Sequence, residues 1–354
     1  MILKKKSNCL SSKRLSISTK VLNWYDQNGR KNLPWKSTDI YKIWISEIML
    51  QQTQVSTVIP YFNSFIKKYP NLKKLSRSSL DEVLKSWSGL GFYRRAENIY
   101  KTAQIISTQF NGIFPKYYDE IIKFPGIGRT TASAILTFAK IDNLPILDGN
   151  IKRLLSRLYG INSHIYNKNI ENKLWGYSER LLPVDRASDF NQALMDLGSL
   201  ICKKTNPICY DCPIQKNCKS FKNNSFEVPK IKKVNPIRNQ NIWTALIINN
   251  QKKFYMKKIS FDGLWKGLYS SPLFSDEKAM SLWLKQKNLK GDLHLKSGSF
   301  IHKLSHISFT FKVRLFEVKS NKKLILSDDN WYNLSDIEYG TPKFQEKILS
   351  LFKH

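Results

Sequence analysis

The sequence predicts two domains of different class: an all-α domain over residues 15–220 and a smaller α+β domain over residues 241–354, joined by a linker at 221–240. Three observations carry this reading. Apolar residues recur with a helical period up to about residue 220, and the period changes to two beyond residue 240. At 354 residues, the chain also exceeds the ~150 residues typical of a single domain.

The first 14 residues form a basic tail that includes Cys9, expected as a free thiol, and that lacks the continuous apolar core of a signal peptide. In the all-α domain, Pro60, Pro70, Gly89 to Gly91, Pro115, Pro125 to Gly128 and Pro145 cut the chain into many short helices. The segment Ser46 to Val55 reads as a buried helix with a narrow polar stripe, because Glu47, Gln51 and Gln54 fall at i, i+4 and i+7. Residues 118–139 predict a helix from Tyr118 to Lys123, a glycine turn, and a second helix with Ala132, Ile135, Leu136 and Ala139 on its apolar stripe. After Gly149, residues Ile151, Leu154, Leu155 and Leu158 build one apolar face. In the linker, Asn, Lys and two prolines replace periodicity. Beyond it, Trp243 to Ile248 and Lys253 to Ile259 flank a polar turn as a hairpin would, and Ile307 to Leu315 alternates as a half-buried strand. A helix over Thr341 to Phe352 closes the chain.

Charge narrows the function classes. With 58 Lys and Arg against 27 Asp and Glu, the formal net charge is +31, which favours a polyanionic partner, nucleic acid first and an anionic membrane surface second. No apolar run approaches the roughly 18 residues of a membrane span. Four of the five cysteines are crowded together as Cys202-x6-Cys209-x2-Cys212-x5-Cys218, enough thiolates for one centre. Thiolate softness leaves a tetrahedral zinc or an iron–sulfur cluster as options, and spacing does not choose between them. Gly126 and Gly128, in Phe124-Pro-Gly-Ile-Gly-Arg-Thr-Thr-Ala132, permit a turn whose backbone N–H groups face outward at a helix start. That arrangement holds a phosphate oxygen without reading sequence, although glycine pairs also serve plain helix-to-helix turns.

The order of these motifs resembles the helix-hairpin-helix DNA glycosylases of the endonuclease III superfamily, and in finer detail the MutY-type adenine glycosylases. The resemblance rests on Leu33-Pro-Trp35, Trp44 to Val55, Gly89-Leu-Gly-Phe-Tyr93, PGIGRTTA, Ile146-Leu-Asp-Gly-Asn150, Phe190-Asn-Gln-Ala193 with Met195-Asp-Leu-Gly198, and the four cysteines. It spans almost all of the first domain. It implies that Cys202, Cys209, Cys212 and Cys218 hold one 4Fe-4S cluster. It also implies a monomer acting on double-stranded DNA with adenine opposite 8-oxoguanine or guanine, in a bacterial cytoplasm and near the nucleoid.

Excision of adenine needs a general acid for the leaving base and an anion near the sugar. The resemblance gives Glu47 the first role, Asp148 the second, and places Asn150 beside them as support. Each has a plainer alternative: Glu47 as half of a buried ion pair, Asp148 as the N-cap of the following helix. Strand-cutting relatives carry a lysine nucleophile where this chain has Thr130, so a monofunctional enzyme that uses water and leaves an abasic site is expected. Gln51, Phe92 and Tyr93 match positions that fill or wedge the duplex once a base is extruded. The family usually has tyrosine where this chain has Phe92, which keeps the ring and drops a hydroxyl. Gly126, Gly128 and Thr130 are expected against the DNA backbone.

The second domain resembles the Nudix-like carboxy-terminal domain of the same family, through Gly263-Leu-Trp-Lys-Gly-Leu-Tyr269 and His302-Lys-Leu-Ser-His306. Ser305 and His306 are the expected contacts to 8-oxoguanine, and Leu304 departs from the family's usual aromatic. Ser275 to Leu289 offers only Asp276 and Glu277 where a Nudix hydrolase needs a glutamate-rich helix, so recognition without hydrolysis is expected. The alternatives are an endonuclease III-like enzyme for oxidised pyrimidines, a thymine glycosylase for G·T mismatches, and a non-catalytic DNA-binding relative.

Overall fold

A computed structural model describes residues 17–161, 167–225, 237–249, 251–260, 263–289, 294–304, 307–318, 331–333, 337 and 339–352. Cys9, most of the linker, Ser305 and His306 lie outside the described residues. The helices are α1 (17–28), α2 (Ile40–Leu50), α3 (Val55–Lys68), α4 (Leu72–Ser76), α5 (Leu80–Ser86) and α6 (Arg94–Gln109). They continue with α7 (Tyr118–Ile121), α8 (Arg129–Phe138), α9 (Gly149–Tyr159), α10 (Lys168–Leu181), α11 (Ala187–Asp196) and α12 (Lys219–Lys222). The chain divides into two compact units, Met1–Lys73 with Lys101–Val234, and Lys74–Tyr100 with Asn235–His354. The boundary in space therefore differs from the boundary in sequence, since residues 74–100 pack with the carboxy-terminal strands.

In the first unit, the helix ends follow local chemistry. Asp39 caps α2 by accepting from the N–H groups of Tyr41 and Lys42. Asp148 caps α9, which closes on Gly160 in the left-handed region, where the N–H of Ile161 reaches the carbonyl of Ser156 at 2.8 Å. The apolar stripe of α9 is buried in a core with Val21, Tyr25, Ile43, Phe190 and Leu194. The ring of helices thus forms around the apolar faces that the period predicted.

Glu47, Gln51 and Gln54 do not share one helical face, because α2 ends at Leu50. Gln51 is its C-cap with ψ 112, Gln52 takes φ 56, and Gln54 is the exposed N-cap residue of α3. A run of three amides in four residues contributes no apolar face to hold a continuous helix.

In the second unit, strands β1 (Arg238–Asn249), β2 (Phe254–Tyr255), β5 (Leu273–Phe274), β6 (His294–Lys303), β7 (Ile307–Val318) and β8 (Trp331–Tyr332) form one sheet, with β3 (Lys257–Lys258) and β4 (Tyr269–Ser270) as a small separate pair. The expected hairpin exists only as the short antiparallel pairing Ile248↔Phe254. The main partner of β1 is β7, parallel from Arg238↔Ile307 to Asn249↔Val318. The alternation in β7 buries Phe309, Phe311, Val313 and Leu315. Helices α13 (Glu277–Gln286) and α14 (Lys343–Ser350) complete the unit, and Met280 and Leu284 of α13 pack on Ala245 and Ile247 of β1. Pro342 starts α14 two residues later than the apolar pattern suggested.

Candidate active site

Helix α2 buries Trp44, Ile45, Ile48 and Met49 almost completely, which leaves Glu47 half-buried on its remaining face. There it lines a cavity of about 220 Å³ with Trp35, Ser46, Phe138 and Gln192. Removal of water raises its carboxyl from 4.5 to about 8, and the charge of nearby Asp148 adds to the shift. Glu47 is therefore a proton-carrying acid at neutral pH, and among the described residues no ion pair to it is present.

Asp148 is desolvated too, but it has hydrogen-bond donors. Its Oδ1 accepts the N–H of Ile151 at 2.7 Å and its Oδ2 accepts Asn150 Nδ2 at 3.1 Å. Burial pushes its carboxyl up, while these donors and nearby Arg153 work against the shift by favouring the anion. Of two close carboxyls, hydrogen-bond donors favour the anion on the one that has them, here Asp148. Asp148 is thus both an N-cap and the second carboxylate of the site. Asn150 is held in turn, since its Oδ1 accepts from the guanidinium of Arg153 at 3.0 Å, and Arg153 Nε donates to the carbonyl of Cys202 at 2.8 Å.

The glycine turn sits beside these groups. Gly126 holds φ 79, a conformation that L side chains rarely adopt, whereas Gly128 is extended and a Cβ there would meet nothing. The absent side chain at 128 leaves the backbone at the start of α8 open to approach. Gln51 Nε2 donates to the carbonyl of Gly126 at 3.2 Å and to Thr131 Oγ1 at 3.3 Å. Thr130 Oγ1 donates to the carbonyl of Leu147 at 3.1 Å, one residue before Asp148. Gln51 and Thr130 thus join the turn to α2 and to the Asp148 segment.

Cys202, Cys209, Cys212 and Cys218 all line one apolar pocket with Leu154 and Leu158. Arg157 donates to Cys202 Sγ at 3.3 Å and to the carbonyls of Lys203 and Lys204 at 2.7 and 3.1 Å. Burial raises the thiols of Cys209, Cys212 and Cys218, Cys212 to about 12, so thiolates here call for a cationic centre. Among the described residues, no three His, Cys, Asp or Glu are gathered closely enough to hold a single metal ion.

In the second unit, Phe92 is 51% exposed with φ 49. Tyr93 is half-buried, and its hydroxyl accepts from the N–H of Gly89 at 3.1 Å and donates to the carbonyl of Thr341 at 3.0 Å. The two aromatic neighbours are therefore used differently. Asp276 caps α13, and Glu277 pairs with Arg314. Both carboxylates of that segment are engaged within the fold.

Sequence reasoning missed one chain of contacts. Lys36 Nζ donates to Tyr25 Oη at 2.6 Å, and Tyr25 Oη donates to Gln192 Oε1 at 3.3 Å. An ammonium only donates, so the tyrosine proton must point to Gln192, whose facing atom must be its carbonyl oxygen. The amide nitrogen is left for the cavity. The motif Phe190-Asn-Gln-Ala193 held the only signal, because Gln192 reaches the cavity that Glu47 lines from a helix far along the chain.

The model of the HhH-GPD superfamily of base excision DNA repair proteins matches residues 45–180, and a NUDIX domain model matches residues 243–351. The adenine DNA glycosylase of Buchnera aphidicola subsp. Schizaphis graminum is 43% identical over 347 residues, 95% of this chain and 99% of that protein. The enzyme of that name from the Baizongia pistaciae subspecies is 46% identical over 339 residues, 94% and 95% of the two chains. The Homo sapiens adenine DNA glycosylase is 37% identical over 210 residues, 56% of this chain and 38% of that one. A thermostable thymine-DNA glycosylase structure superposes with a TM-score of 0.54 at 27% identity, over 60% of this chain and 98% of that one. A non-covalent endonuclease III–DNA complex shares the fold, with a TM-score of 0.51 at 20% identity over 60% and 97% of the chains. No helix among the described residues is long and apolar enough to cross a membrane. The chain belongs to the adenine DNA glycosylase family, within the helix-hairpin-helix superfamily of base excision repair enzymes.

Proposed function

We propose that this enzyme removes adenine from double-stranded DNA in which it is mispaired with 8-oxoguanine, and more slowly with guanine, leaving an abasic site. The observation that carries the reading is the unequal carboxyl pair: Glu47, half-buried and holding its proton to about pH 8, and beside it Asp148, also pushed up by burial but with donors from Ile151 and Asn150 that favour its anion. Glu47 delivers its proton to a ring nitrogen of adenine, so the base leaves neutral as the C1′–N bond breaks. Asp148, supported by Asn150, stabilises the positive charge that builds on the sugar. Water then supplies hydroxide to C1′ and a proton returns to Glu47. Gln192, its amide nitrogen aimed away from Tyr25, offers donors to an acceptor on the base edge. Thr130 offers no amine, in keeping with hydrolysis rather than Schiff-base chemistry.

Gln51, Gly126, Gly128 and Thr130 line the approach of the DNA, the open backbone at Gly128 contacting phosphate and Gln51 entering the space left by the extruded base. Phe92 is the wedge in the base stack. The Nudix-like domain reads 8-oxoguanine through Ser305 and His306; the engagement of Asp276 and Glu277 within the fold supports recognition without hydrolysis. Cys202, Cys209, Cys212 and Cys218 hold one 4Fe-4S cluster, for which an apolar pocket shared by all four cysteines and an adjacent guanidinium are suited. Held there, a cluster would tie the four cysteines of this segment together. A monomer bound to DNA in the bacterial cytoplasm, near the nucleoid, completes the reading.

The test is single-turnover incubation with four duplexes: adenine opposite 8-oxoguanine, adenine opposite guanine, thymine opposite guanine, and an oxidised pyrimidine. Adenine release, fastest opposite 8-oxoguanine, is expected; release of thymine or the oxidised pyrimidine in its place would overturn the reading.

A further inference from the structure

The turn that carries Phe92 lies within the sequence of the helix-hairpin-helix half but packs with the carboxy-terminal domain. Gly91 at φ 81 and Phe92 at φ 49 hold conformations that relax unless their surroundings fix them. On one side, Trp87 Nε1 and the Arg95 guanidinium donate to the carbonyl of Gly91 at 3.0 and 3.1 Å. The same guanidinium lies 5.4 and 5.3 Å from the rings of Trp87 and Phe92. On the other side stands Thr341. Its carbonyl accepts from Ser88 Oγ at 2.8 Å and from Tyr93 Oη at 3.0 Å, and its N–H returns to Ser88 Oγ at 3.4 Å.

Two further contacts join this segment to the carboxy-terminal residues. A Cβ on Gly340 would lie 2.8 Å from the backbone C and O of Leu84, so only glycine permits that approach. Lys258 of β3 pairs with Asp81 of α5 at 2.8 Å.

We propose that Thr341 and Gly340 of the carboxy-terminal domain form a latch that sets the Phe92 turn for insertion into DNA. Tyr93 and Ser88 are its positioning residues. Tyr93 acts through Phe92 and the Thr341 carbonyl, its hydroxyl being used within the protein, and does not read DNA. A wedge held in its inserted conformation loses less freedom on binding than one that must be ordered by the duplex. The domain expected to sense 8-oxoguanine thereby also governs base extrusion. The proposal rests on the reading of Phe92 as a wedge.

The test uses the full chain and a duplex with adenine opposite 8-oxoguanine and 2-aminopurine beside the adenine, whose fluorescence rises when its stacking is broken. The double variant Ser88→Ala with Tyr93→Phe removes the latch hydroxyls and keeps both rings. It should slow the fluorescence rise and adenine release at least about tenfold, since the two hydroxyls make four hydrogen bonds and part of their energy sets Phe92. In a Phe92→Ala background the same pair should add nothing, because the latch acts only through Phe92. Gly340→Ala, which spares every hydrogen-bonding group, should show the same dependence on Phe92, with thermal midpoints recorded to establish that each variant is folded. An equal loss in both backgrounds, or no loss in either folded variant, overturns the latch. If Phe92→Ala alone leaves the fluorescence rise unchanged, the wedge reading itself fails and the latch with it.

Discussion

Replacing Glu47 with glutamine should make the protein more stable at neutral pH. The carboxyl holds its proton to about pH 8 in the folded chain but only to about 4.5 when unfolded. Below pH 4.5 it is neutral in both states, so the wild type and Glu47→Gln should unfold alike. As pH rises, the unfolded state ionises freely while the folded site resists. The wild type then loses stability relative to the variant until about pH 8, where the difference levels off. At pH 7 the window covers about 2.5 pH units at about 1.36 kcal/mol each, an upper limit near 3 kcal/mol. Partial solvent access of Glu47 lowers that figure. In thermal melts of the first unit this corresponds to a rise of up to about 6 °C at pH 7 and none at pH 4.5. A variant that melts lower than wild type at pH 7, or a gap independent of pH, would refute the account of a desolvated acid. Stability gained with activity lost marks a residue kept for chemistry.

Four other outcomes follow from the same geometry. The rate of adenine release at saturating DNA should fall as pH rises through about 8, where Glu47 loses its proton; a rate flat to pH 9.5 would remove it from the acid role. Borohydride added during turnover should trap far less covalent protein–DNA adduct than with a lysine-bearing relative, and an equal yield would contradict the reading of Thr130. Purified protein should contain about four irons and a broad visible absorption that Cys212→Ser diminishes, whereas stoichiometric zinc would overturn the cluster assignment. Tyr25→Phe should slow adenine release by about tenfold or less through a misaligned Gln192, and should have no further effect when Gln192 is already alanine.

The sequence made some parts of this arrangement legible for physical reasons. The change of period near residue 240 marks a change from helices to strands, and alternation in Ile307 to Leu315 states which side of β7 is buried. Glu47 could be singled out because a carboxylate among Ile45, Ile48 and Met49 is costly unless it is used or paired. Other features had no local signal. The parallel pairing of β1 with β7 joins strands about 70 residues apart, and period alone cannot tell parallel from antiparallel partners. Gln192 reaches the cavity from α11, and the Lys36–Tyr25 pair that orients it crosses from the other end of the domain. Tyr93 was expected against DNA because the Gly89 to Tyr93 turn matches family positions, and that resemblance carried no sign that its hydroxyl meets Thr341. The polar stripe of Glu47, Gln51 and Gln54 assumed a helix that ends at Leu50.

The central claim is that a protonated Glu47 next to an ionised Asp148 expels adenine from DNA. The most direct measurement is the single-turnover rate of free adenine release from a duplex with adenine opposite 8-oxoguanine, compared between wild type and Glu47→Gln, with binding of the same duplex measured in parallel. The account predicts rapid release by the wild type, and a loss of at least about a hundredfold in a variant that still binds the DNA. Adenine release by Glu47→Gln at close to the wild-type rate would contradict it.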